Sequence, residues 1–276
     1  GTLPINITET NNKCDKSCSF DFNYGISNLE VTNKGDYMKL SYSSPKSSIQ
    51  YNNTDFSVQD VRLYSPSLNK YAGKEYPAEL FIHHISNTTG QNLLVCIPIK
   101  QSNASSDSQQ LFNSIVKFFP QDTRQKKMIN VNNYTLNRVV PRGSFYTYNG
   151  SLPYDSCNGN YDIILFDPTF AANIGNNDMK LLKRMINSPN KVVKNVDNRN
   201  VQYNENGTKQ LSNSDDIYID CRPVNEELGD DDKEYETKVK PSKGIEINKE
   251  HVKYLYMTGG IGAGLIIMYG LYKIAN

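Results

Sequence analysis

Tyr76-Pro77-Ala78-Glu79-Leu80-Phe81-Ile82-His83-His84-Ile85 is the stretch on which the fold turns. Small, polar and apolar residues alternate over a β-prone run, which predicts a central strand covered on both faces. His83 and His84 are consecutive, so on a strand their side chains leave by opposite faces and cannot share a cation. The chain has 3 histidines in all, and the third, His251, lies beside a long apolar segment near the end. A site built from three imidazoles on one metal is therefore excluded by geometry.

Working outward, the runs on either side have the same character. Phe20-Asp21-Phe22, Leu29 to Gly35, Met38 to Tyr42 and Phe56 to Tyr64 alternate, and Gly35 ends its run as a turn residue. Leu93 to Ile99 is continuously apolar, a buried-strand pattern, and Tyr161 to Phe166 reads as a further strand. Gln109 to Phe119 places Leu111, Ile115, Val116 and Phe119 at helical spacing. Asn177 to Ile186 does the same with Met179, Leu182 and Met185, so two short amphipathic helices are predicted.

The 276 residues carry 30 basic and 29 acidic side chains, a formal net charge of +1. No global field points to nucleic acid. The five cysteines form no strong metal pattern. Cys14 and Cys18 are four apart, a spacing that suits a local disulfide or free thiols rather than zinc. The pairing of Cys14, Cys18, Cys96, Cys157 and Cys221 stays open. The first residues have no basic start and no long apolar core, so no export signal is expected, nor glycosylation at Asn6, Asn87, Asn133, Asn149 or Asn206.

Composition changes toward the end. Glu226 to Glu236 holds seven acidic residues against Lys233, and the polar run continues to Gly244, which reads as a solvated linker. Tyr254 to Tyr272 then carries no charge and is bracketed by Lys253 and Lys273. At about 1.5 Å per helical residue it is long enough to cross a bilayer core of roughly 30 Å. Tyr254, Tyr256, Tyr269 and Tyr272 suit the interfaces, and Gly260 and Gly264 form a small-residue surface for close helix packing. The expected organisation is a domain over 1–223, a linker over 224–252 and a transmembrane anchor over 253–276, with the domain on the cytosolic side during synthesis.

The central stretch resembles the strand Ala-Glu-Leu-His-Leu-Val-His-Trp of the α-carbonic anhydrases. Leu3-Pro4-Ile5-Asn6-Ile7 is similar to that family's entry segment, and Pro141 with Phe145 to Leu152 to its Pro…Tyr-Trp-Thr-Tyr-Pro-Gly-Ser-Leu. Met179 to Arg184 and Asn198 to Gln202 fit its late helix and the stretch after it. The resemblance covers roughly residues 3–205 and implies a mostly β fold, a twisted and mostly antiparallel sheet of about ten strands with peripheral helices. It also implies where a catalytic zinc would be held: at Phe81 and, on the strand Phe56 to Ser65, at Arg62 and Tyr64. The threonine that orients a zinc-bound hydroxide matches Pro153, and its carboxylate partner falls in a segment missing between Tyr64 and Tyr76. Glu79 matches a supporting carboxylate and His84 a structural histidine. Arg62 is expected to pair with Glu79 or with a nearby phenol, and no cofactor is expected.

A domain of this kind without its ligands, followed by a C-terminal anchor, is similar in architecture to the carbonic-anhydrase-like envelope proteins of poxviruses. The resemblance implies a non-catalytic, membrane-anchored virion protein of a large DNA virus that contacts capsid or other virion proteins. The alternative is an attachment protein for an anionic host glycan such as a sulfated glycosaminoglycan. Its support is the region from Thr123 to Arg199, where eleven basic side chains face five acidic ones, with Lys126, Lys127, Lys183 and Arg184 as candidate contacts.

Overall fold

The computed structural model describes residues 3–8, 10, 12–14, 18–152, 160–189, 191–195 and 200–210. In chain order the first strands are β1 (Ile5–Ile7), β2 (Phe20–Asn23), β3 (Leu29–Asn33), β4 (Met38–Leu40), β5 (Ser48–Tyr51) and β6 (Thr54–Asp55). Next come β7 (Ser57–Tyr64), β8 (Lys70–Tyr71), β9 (Lys74–Glu75), β10 (Ala78–Ile85), β11 (Asn92–Gln101) and β12 (Lys126–Ile129). The last are β13 (Phe145–Gly150), β14 (Tyr161–Phe166), β15 (Ala172–Ile174), β16 (Lys194–Asn195), β17 (Gln202–Asn204) and β18 (Lys209–Gln210). The helices are α1 (Asp107–Ile115) and α2 (Asn176–Met185).

Ten strands form the main sheet, in the order β12-β3-β4-β7-β10-β11-β14-β13-β17, with β15 added on β11. The opening stretch is the middle of it. β10 pairs antiparallel with β7 on one side and β11 on the other, and its first five residues are buried. A strand so placed buries both faces, so its pattern is dense rather than strictly alternating. Two smaller sheets, β16-β1-β8-β9 and β18-β2-β5-β6, flank the main one.

Core residues fall into two clusters, one on each side of this sheet. The larger holds Leu80, Ile82, Val95, Ile97 and the inward residues of both helices; the smaller holds Tyr64, Phe81, Leu94, Cys96, Tyr146, Tyr148 and Leu165. Each fully buried apolar side chain contributes about 1.5–3 kcal/mol, which is why β10, supplying both clusters, is the organising strand.

The first helix departs from the sequence reading at both ends. Ser106 caps it by accepting from the Gln109 amide, so it begins at Asp107, and it tightens into a 3-10 turn at Val116–Phe118. The hydroxyl cap, not the first apolar residue, sets the start. Along α2, Met179, Leu182 and Met185 are buried, with Lys183 and Arg184 in the last turn, where cations complement the helix dipole. Gly35 has φ +88°, the left-handed conformation that turns β3 into β4 at low cost.

Cys14 and Cys18 form a disulfide, and the loop it closes is tied to β17 by the bonds Cys14 N–H to Tyr203 O and Asn204 Nδ2 to Cys18 O. Cys96 is a buried free thiol. Cys157 and Cys221 lie outside the described residues, as do Pro153, the linker and the Tyr254–Tyr272 segment with Gly260 and Gly264. Among the described residues no helix is long and apolar enough to cross a membrane.

Candidate functional site

The register of the main sheet lines up one row of side chains across it. Starting at the β12 edge the row runs Lys126, Thr32, Lys39, Arg62, Phe81, Cys96, Leu165, Tyr146 and Tyr203. Directly paired residues share a face. The β12 end of this face is therefore basic and the β17 end aromatic, and Arg62 and Phe81 meet at the boundary. Tyr64 lies two residues from Arg62 on β7, on the same face. Its ring meets that of Phe81 edge-on, with centroids 5.3 Å apart. The structure thus brings Arg62, Tyr64 and Phe81 together.

Arg62 donates from Nε to Asp60, which also pairs with Lys39 at 3.2 Å. Its guanidinium lies over the Tyr37 ring, 4.9 Å from the centroid. Burial pushes the Tyr64 phenol well above its ordinary pKa, while the charge and hydrogen bond of Arg62 pull the other way. Of the two expected pairings the one with a phenol is found; the carboxylate beside Arg62, not foreseen, is Asp60, and Glu79 does not reach it. Asp60 and Arg62 are two apart on one strand, so they project side by side. That signal was present in the sequence.

Glu79 is fully buried and fully engaged elsewhere. One oxygen accepts from the backbone N–H groups of Leu68 (2.9 Å) and Asn69 (3.0 Å), the other from Asn69 Nδ2 and Tyr71 OH, both at 2.9 Å. Burial raises its pKa and these donors oppose the rise. Asn69 Oδ1 accepts in turn from Ile5 N–H at 2.9 Å. One carboxylate therefore fastens the segment after β7 and, through Asn69, the N-terminal strand. Between Tyr64 and Tyr76 the sole acidic residue is Glu75, which is exposed.

The two adjacent histidines diverge. His83 lies against Tyr161, with ring centroids 5.2 Å apart. His84 is fully buried in the opposite core. Its Nδ1 faces the Leu93 carbonyl at 3.4 Å and its Nε2 the Tyr24 hydroxyl at 2.9 Å. A carbonyl only accepts, so Nδ1 carries the proton and Nε2 accepts from Tyr24. His84 is a satisfied core residue.

At the three positions that the resemblance assigns to a zinc, the residues present do not fit one. A catalytic zinc needs three donors and an open fourth position. Arg62 presents a permanent cation, Phe81 no lone pair, and Tyr64 a phenol that burial keeps protonated. Among the described residues no three His, Cys, Asp or Glu side chains are grouped together.

The four candidate glycan contacts lie on two elements. Lys126 and Lys127 are adjacent on β12 and point to opposite faces, while Lys183 and Arg184 end α2. Lys126 instead joins Lys34 and Lys39, with Glu30, Thr32 and Ser41, around a cavity of about 150 Å³. Sequence reasoning missed this trio because β12 is distant along the chain from the β3–β4 hairpin that carries Lys34 and Lys39.

The family model for eukaryotic-type carbonic anhydrase matches residues 3–212. Among solved structures, the α-carbonic anhydrase of Photobacterium profundum superposes with a TM-score of 0.62 at 17% identity, covering 73% of this chain and 88% of that one. The enzyme of Thermovibrio ammonificans, solved with sulfanilamide, gives 0.63 at 18% identity over 73% and 86%. Dioscorin, solved with ascorbate, gives 0.59 at 16% over 74% and 85%. No curated protein sequence matches the chain. The strand order around β10, the matched span and these likenesses agree: the chain belongs to the eukaryotic-type carbonic anhydrase family.

Proposed function

We propose that this protein is a non-catalytic member of its family. In this reading it is a membrane-anchored structural protein of a large DNA virus particle that uses the fold as a protein-interaction module. The observation that carries the loss of catalysis is the packing of Arg62, Tyr64 and Phe81 against one another and against Asp60 and Tyr37. A guanidinium already satisfied by a carboxylate and an aromatic face has no reason to yield to a divalent cation, which it would repel. The anchor rests on the uncharged stretch Tyr254 to Tyr272 and the viral assignment on the resemblance in architecture.

Deleting Tyr254 to Asn276 tests the anchor. The shortened chain should leave the membrane fraction, fail to enter particles, and melt at the temperature of the full chain. A shortened chain that still pellets with membranes, or that aggregates, would overturn the reading. A second reading, attachment through an anionic glycan, is favoured by the cavity that Lys34, Lys39 and Lys126 share. Tight heparin binding by the full chain, weakening steeply with salt, would select it.

A further inference from the structure

The outer edge of the main sheet has an unusual combination of side chains. β12 pairs with β3 and ends the sheet on that side. Lys126, Lys127 and Met128 are all exposed, and Met128 keeps 62% of its surface open. Alternation puts Lys126 and Met128 on one face and Lys127 on the other. Beside Lys127 stands Phe118, 42% exposed, with the Lys127 amine 5.9 Å and the Lys117 amine 5.1 Å from its ring centroid. Behind Lys126 lies the cavity shared with Lys34 and Lys39.

Lysines on an edge strand usually guard it, because a second copy of the same edge brings like charges into register. Two exposed apolar side chains work against such a guard, since they reward association. Both features make sense together if the edge excludes its own kind and accepts a strand of opposite charge. Acidic side chains here are partly committed: Glu30 reaches Lys126 at 3.8 Å, Asp60 takes Lys39, and Asp178 lies near Lys117. No acidic side chain is paired with Lys127 among the described residues.

Resting on the interaction-module reading, we propose that β12 is a docking edge for an extended acidic segment of a partner protein, added to the main sheet as a further strand. Main-chain hydrogen bonds to β12 supply affinity, and alternate side chains supply selection. A carboxylate opposite Lys126 sits at the mouth of the three-lysine cavity. A carboxylate opposite Lys127 lies on the Phe118 face, and an apolar residue opposite Met128 covers the thioether. The partner is recognised by two adjacent acids with an apolar residue beside them in a β-prone run.

The test titrates the full chain with the blocked peptide Val-Thr-Val-Glu-Glu-Val-Thr and with its Lys-Lys counterpart. Binding of the acidic peptide is expected at a dissociation constant on the order of tens of micromolar, with slowed amide exchange at residues 126–129, and no binding of the basic one. Lys126→Glu combined with Lys127→Glu should weaken it at least about tenfold, and Met128→Ser by about threefold. Equal binding of both peptides would overturn the proposal, as would binding that leaves the β12 amides unprotected. So would heparin or phosphatidylserine vesicles binding where the acidic peptide does not, which would assign the edge to a glycan or a membrane. The peptide comparison on the unaltered chain needs no variant to fold. Failure here leaves the non-catalytic reading untouched, because metal content is measured separately.

Discussion

Glu79→Ala is expected to be the most damaging single change in the domain. Four donors converge on that carboxylate: two backbone N–H groups, the Asn69 amide and the Tyr71 hydroxyl. Leaving a buried donor unsatisfied costs about 1–3 kcal/mol, so even with water entering the hole a loss of about 4 kcal/mol follows, or roughly 10 °C in melting temperature. The damage should also be directional. β8 pairs with β1, and β1 with β16, so amide exchange should accelerate in Ile5–Ile7 and Lys70–Tyr71 before it does in β11. Glu79→Gln keeps one acceptor but turns an NH2 toward the remaining donors, and should fall between the two. A melting temperature within about 2 °C of the parent for Glu79→Ala would show that the carboxylate fastens nothing.

Acid should undo the fold through His84. Burial lowers its pKa from 6.5 to about 3, because an imidazolium would lose its hydration in the core, a cost that the backbone groups of Leu93 and Ile82 offset only in part. The unfolded chain takes up the proton near 6.5 and the folded one does not. The stabilisation from keeping His84 neutral is thus fully present above that pH and is lost as pH falls from about 6.5 through about 3. One residue contributes about 3–5 kcal/mol over that window. Carboxylates titrate in the lower part of the range, so the informative quantity is the difference between the parent and His84→Gln. The variant should start somewhat less stable at pH 8 and lose its disadvantage, or reverse it, by pH 4. Parallel stability curves for the two proteins would contradict this account.

How much of this was legible beforehand depended on chain distance. The alternation in β7 and β10 and the apolar run in β11 carry their pairing in their own composition, because a central strand must be apolar wherever it is covered. Of the flanking sheets only β2 was legible, through the alternation Phe20-Asp21-Phe22. β8, β9, β16 and β18 are two residues each, too short to hold a period; β8 and β16 form against β1, β9 against β8, and β18 against β2.

The site was half legible. Arg62, Tyr64 and Phe81 followed from the family's strand patterns, and their meeting across β7 and β10 is a matter of register. Of the two partners expected for Arg62, the phenol is met and Glu79 is not, for a physical reason. Glu79 is the nearer acid by family position, but a fully buried carboxylate takes the donors that desolvate least, and two backbone N–H groups were already beside it. Asp60, at the rim, keeps contact with both Lys39 and Arg62. The lysine cavity, assembled from β3, β4 and β12, could not be seen at all before the strands were ordered.

The central claim is that a guanidinium, a phenol and a benzene ring stand where this family holds its metal. Elemental analysis of the full chain, produced with zinc in excess and freed of loosely held ions, measures that directly, alongside carbon dioxide hydration by the same sample. The account predicts below about 0.1 equivalent of zinc and no hydration above background, since neither Arg62 nor Phe81 offers a lone pair. A full equivalent of retained zinc, accompanied by hydration above background, would contradict it.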